Sequence, residues 1–143
     1  GEFSPRDLSN FAWSFAKLQV DMPDLLWRGL SRSMCDMRRF KPPDLAQLSW
    51  ALATLCMDNA YIFRLLAREV QVKFMAFRPQ EVSNVAWAFA RAAAREVDLF
   101  RAVAQIAPPR LAEFSPQALA NTAWAFAACW VADAGFAAAI TRA

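Results

Sequence analysis

Large apolar residues along this chain cluster at spacings of three and four, and the clusters return at a fixed interval. In the first cluster the large positions are Leu8, Phe11, Phe15 and Leu18, while Ser9, Ala12 and Ala16 are small. At about 100° per residue these sets form two adjoining arcs of one helix. A narrow polar stripe remains, holding Arg6, Asn10, Ser14 and Lys17, with Trp13 on its border. The pattern predicts an inner helix with most of its surface packed: the large arc against its own partner helix, the small arc against a neighbour at close range. Only the polar stripe is left to face a groove.

The interval is 37 residues. Phe3-Ser-Pro5, Phe40-Lys-Pro42, Phe77-Arg-Pro79 and Phe114-Ser-Pro116 open successive units, and Trp13, Trp50, Trp87 and Trp124 recur at the same spacing. A fixed period of this length signals stacked supersecondary units. The units are 3–39, 40–76, 77–113 and 114–143, read as one repeat domain over 1–143 and expected to be part of a longer array. Each proline fits the first position of a helix, where its missing N–H costs nothing. Ser4 and Ser115 offer N-cap oxygens, whereas Lys41 and Arg78 do not. Asp7, Asp44 and Glu81 suit the positive end of the helix dipole. The predicted helices are 5–18, 23–38, 42–56, 59–75, 79–94, 97–112 and 116–131, with an eighth beginning after 133. Strand signals are missing: there is no alternating run and no Asn-Gly or Asp-Gly turn. The fold class is therefore all-α, an α-solenoid of about four helical hairpins.

Composition narrows the chemistry. The 143 residues are 57% hydrophobic and 20% charged, a packed chain rather than a disordered one. With no His, the usual general base and the commonest metal ligand are gone. Three glycines leave no room for a phosphate-cradling loop. Cys35, Cys56 and Cys129 match no zinc spacing and no disulfide framework, and are predicted to be buried thiols in a reducing intracellular compartment. Neither an enzyme, a cofactor, a metal nor a small-molecule substrate is expected. The stretch 118–140 is the most apolar, but Asn121, Thr122 and Asp133 interrupt it, so no membrane span is predicted. The net charge of +3 is a mild tilt toward anionic partners.

Four sets of residues are candidates for binding. The tryptophan column could stack nucleobases, but identical residues in every repeat suit a packing ladder, and the four indoles are predicted to be mostly buried between repeats. The amide column (Asn10, Gln47, Asn84 and Asn121) could read base edges or bond the adjacent repeat. Two variable columns share its stripe: Arg6, Pro43, Gln80 and Gln117, and Lys17, Thr54, Arg91 and Ala128. The turns before each inner helix are basic, with Arg38, Arg39, Lys41, Lys73, Arg78 and Arg110. Such an edge could follow a phosphate backbone, or it could simply satisfy helix C-termini.

The segment Phe-Ser-Pro-Gln-Ala-Leu-Ala-Asn-Thr-Ala-Trp-Ala-Phe-Ala, residues 114–127, resembles the octotricopeptide and heptatricopeptide repeats that often accompany RAP domains. The resemblance covers essentially the whole chain. It implies an RNA-binding α-solenoid in mitochondrial or plastid gene expression, holding single-stranded RNA or joining a ribonucleoprotein assembly in transcript stabilisation, processing, translation or ribosome assembly. No RAP-like segment is present, and the Pro-Pro-Pro-Glu-Trp element of many octotricopeptide repeats is missing, with Pro108-Pro109 a faint echo. The other function class is a protein–protein interaction scaffold that binds no RNA.

Overall fold

The computed structural model describes residues 3–57, 59–129 and 134–142. Among them there are helices and turns but no strand. The inner helices are α1 (Pro5–Leu18), α3 (Pro42–Thr54), α5 (Pro79–Arg91) and α7 (Pro116–Ala128). The outer helices are α2 (Asp24–Ser33), α4 (Ala60–Val72), α6 (Val97–Ile106) and α8 (Ala134–Arg142). The inner helices pack closely on one another in sequence order, and the outer helices touch their neighbours much less. The predicted end of the seventh helix, at 131, lies outside the described residues.

Each inner helix starts as its letters require. Ser4 Oγ accepts from the Asp7 N–H at 3.1 Å, and Ser115 Oγ accepts from the Ala118 N–H at 3.1 Å. The carboxylates return the bond to the capping backbone. Asp7 accepts from the Ser4 N–H at 3.1 Å, Asp44 from Lys41 at 3.0 Å and Glu81 from Arg78 at 2.8 Å. The Ser4 hydroxyl donates to Asp7 as well, and holds that carboxyl below the ordinary aspartate range.

The inner helices α1, α3 and α5 end on a left-handed residue rather than on glycine. Gln19, Cys56 and Ala93 have φ of 56°, 56° and 54°, again 37 residues apart. The residue after each donates five positions back: Val20 to Phe15, Met57 to Leu52 and Ala94 to Phe89. This is the Schellman closure, which satisfies carbonyls that the helix leaves over.

The outer helices are shorter than predicted. α2, α4 and α6 stop at Ser33, Val72 and Ile106, and the chain continues as 3-10 turns over Met34–Arg39, Phe74–Ala76 and Pro108–Glu113. Pro108 and Pro109 cannot continue α6. Lys41 and Arg78, each before a proline, are held extended with ψ of 163° and 157°, so the chain must leave the helix to reach them.

The large arc has a wider role than predicted. It packs on the preceding repeat as well as on its own outer helix. Phe63 of α4 meets Phe89 of α5 edge to face at 5.0 Å, and Phe100 of α6 meets Phe126 of α7 at 5.2 Å. Within the last repeat Phe126 stacks on Phe136 of α8 at 4.2 Å. The small arc behaves as predicted, with Ala12, Ala16, Ala53 and Ala86 buried. Buried hydroxyls tie the inner row together: Ser9 donates to the Asp44 carbonyl and Ser83 to that of Ala118, both at 3.1 Å.

The cysteine expectation is corrected. Only Cys129 is buried; Cys35 and Cys56 are exposed. Cys35 lies in the 3-10 turn that leaves α2, and Cys56 is the left-handed residue that ends α3. Neither position is on a packed face.

Candidate functional site

The stripe left on the inner helices forms a groove. Asn10, Trp13 and Lys17 of α1, Pro43, Gln47 and Trp50 of α3, and Glu81 and Asn84 of α5 line it. Residues about 37 apart meet there because the inner helices lie side by side in the same register.

The indoles do not behave as a buried ladder, which corrects the packing expectation. Trp13 and Trp124 are 40% and 47% exposed, and Trp50 and Trp87 are half-buried. Trp13 and Trp50 line the groove. Trp50 and Trp87 stack at 6.4 Å with 27° between their planes. Between Trp13 and Trp50 sits the Lys17 ammonium, 5.5 Å and 5.4 Å from the two ring centres. A cation so placed is attracted by the negative ring faces, by about 0.5–1 kcal/mol at an exposed site. The matching position in the next repeat is Thr54, which carries no charge, and there the indoles meet directly.

The amide column is partly a ladder. Gln47 Nε2 donates to Asn10 Oδ1 at 2.9 Å, joining the first two repeats. In the third repeat the bond is local: Gln80 Nε2 donates to Asn84 Oδ1 at 3.1 Å. Asn121 is half-buried, and Arg6, Arg91 and Gln117 are exposed on the same inner helices.

The basic turns divide into two kinds. Lys41 and Arg78 are exposed at the N-termini of α3 and α5. Lys73 and Arg110 are engaged with the fold. Lys73 Nζ donates to the carbonyls of Phe40 and Arg38 at 2.6 and 2.8 Å and pairs with Glu69 at 2.8 Å. Arg110 donates to the Phe77 carbonyl at 2.7 Å and pairs with Glu113 at 3.3 Å. Arg38 is exposed and pairs with Asp36 at 3.2 Å. Arg39 lies away from the amide stripe, in a separate groove between α1 and α2 with Phe3, Leu25 and Arg28.

Of the candidate columns, Asn10, Gln47, Asn84 and Lys17 line the groove, and the indoles are more exposed than sequence reasoning expected. Their border position on the helical wheel was the available signal. Among the described residues there is no cluster of His, Cys, Asp or Glu able to hold a metal ion, and no helix long and apolar enough to cross a membrane. Comparison with protein-family models finds no match to the chain, and comparison with curated proteins finds none either.

Proposed function

We propose that this chain binds single-stranded RNA along the groove of its inner helices, by recognition alone and without chemistry, in the RNA metabolism of an organelle. The observation that carries the reading is the row of four partly exposed indoles, one per inner helix, of which Trp13 and Trp50 line the groove with Asn10, Gln47 and Asn84. Aromatic faces accept unstacked bases of any identity, and each stacked base contributes about 1–3 kcal/mol. The amides and the variable residues Gln80, Gln117 and Arg91 offer hydrogen bonds to base edges. Lys41 and Arg78 supply phosphate contacts at the rim. The helix N-termini beside them are already capped by Asp44 and Glu81, so the side-chain cations carry that role. The organelle setting and the RNA partner class draw further support from the repeat resemblance.

The test is fluorescence anisotropy with a short labelled oligoribonucleotide over a range of salt. Each phosphate neutralised on a single strand contributes about 0.7 to the slope of log K against log salt. Lys41→Gln with Arg78→Gln is expected to flatten that slope by about 1.4 for every sequence alike. Substitution at Gln80 or Gln117 is expected to change which base is preferred. Absence of salt-sensitive binding at low ionic strength, with a defined protein helix seated in the groove instead, would move the assignment to a protein-interaction scaffold.

A further inference from the structure

The groove differs from one step between inner helices to the next. Lys17 and Thr54 hold the same place in their repeats, four residues after Trp13 and Trp50, and so lie one turn on along the same face of the helix. Where that residue is Lys17, between α1 and α3, its ammonium stands between the indoles of Trp13 and Trp50, 5.5 Å and 5.4 Å from the ring centres. Where it is Thr54, between α3 and α5, the indoles of Trp50 and Trp87 close on each other with their centres 6.4 Å apart. The Thr54 hydroxyl is enclosed without a hydrogen-bond partner, so it offers a passing strand no contact.

The place the ammonium fills suits an aromatic ring. Aromatic pairs in contact have centres about 4.5–7 Å apart. A ring centred on Lys17 Nζ would therefore stack on both indoles at once. The cavity there measures about 590 Å³ and is lined by Asn10 and Gln47 besides the two indoles. Sites that hold small organic ligands measure about 300–1,000 Å³. Lys17 is exposed on a flexible four-carbon stem, and among the described residues no ion pair holds it. A base stacked on aromatic faces is held more strongly than an exposed cation above them, so the exchange is favourable.

We propose that the α1–α3 step is an insertion slot for one base of the strand, with Lys17 as the residue that holds it open. The base enters between Trp13 and Trp50 in place of the ammonium, and the ammonium turns out to the phosphate of the same nucleotide. The slot rests on the RNA-binding reading above and fixes where a base is inserted rather than laid along the surface. The α3–α5 step, closed by direct contact of its indoles, takes no base between its rings. Both helices of each step lie within the chain, and the two steps differ by the residue that follows the tryptophan by one turn.

The test uses a single-stranded oligoribonucleotide carrying one 2-aminopurine, a base whose fluorescence falls on stacking. It is bound at low salt by the wild type, by Lys17→Thr and by Lys17→Arg. Lys17 is exposed, and far-UV circular dichroism checks that both variants keep their helices. Threonine at this place rebuilds the closed second step. Lys17→Thr is expected to lose most of the quenching, about ten-fold in affinity and about 0.7 of the salt slope. Lys17→Arg keeps a cation able to lie over the rings and is expected to retain all three. A Lys17→Thr variant with a flatter slope but undiminished quenching would make Lys17 a phosphate contact only and would overturn the slot. So would a Lys17→Arg variant that behaves like Lys17→Thr. Wild-type protein that binds the strand without quenching would overturn the slot and leave the RNA reading standing. Wild-type protein that binds no strand would overturn both.

Discussion

The ammonium of Lys73 lies 2.6 Å from the carbonyl oxygen of Phe40, the residue that opens its own repeat, and 2.8 Å from that of Arg38 in the turn before it. The carbonyls where the chain leaves one hairpin for the next have no helical partner, and a cation at that place both satisfies them and suits the negative end of the dipole. Arg110 repeats the device on Phe77, 37 residues later. Lys73→Met is therefore expected to lower stability by about 1.5–3 kcal/mol, the contribution of hydrogen bonds to a charged group. Urea denaturation measures it. An unchanged midpoint, together with a flatter salt dependence of RNA binding, would return Lys73 to the phosphate-contact set.

The left-handed ends of α1, α3 and α5 give a second prediction. A residue with a Cβ at φ near 56° is disfavoured by about 1–2 kcal/mol, and glycine is not. The added freedom of glycine in the unfolded chain offsets part of that gain. Ala93→Gly is expected to stabilise the protein by about 0.5–1 kcal/mol. A lower thermal midpoint would contradict the left-handed assignment.

Thiol chemistry gives a third. Cys35 and Cys56 are exposed, while Cys129 is enclosed and burial raises its thiol above the ordinary range, with Arg95 opposing in part. Since the thiolate is the reacting form, two equivalents of iodoacetamide are expected to react quickly near pH 8 and the third only on unfolding. Three equally fast thiols would show that the last hairpin is not closed over Cys129.

The sequence makes the repeat, the hairpins and the inner-helix starts legible, because the 37-residue return of Phe-x-Pro and Trp repeats a local signal four times. The end of α1 at Leu18 was legible, but those of α3 and α5 come two and three residues before the expected 56 and 94, because Cys56 and Ala93 hold a conformation that sequence reasoning assigns to glycine. The Lys73 and Arg110 contacts were hidden because they join residues 33 positions apart through backbone carbonyls, which carry no side-chain signature. The burial of the indoles was overestimated because the same identity in every repeat suggests a packing ladder, whereas Trp13 and Trp124 are 40% and 47% exposed.

The most direct measurement is therefore of the indoles themselves. Tryptophan emission is followed while a single-stranded oligoribonucleotide is added at low salt, and the affinities of Trp50→Ala and Trp87→Ala are measured alongside. The account predicts quenching of the tryptophan emission, and a loss of about ten-fold or more in affinity for each variant with its helices intact. Emission that does not change at saturating RNA, or variants that bind as tightly as the wild type, would contradict it.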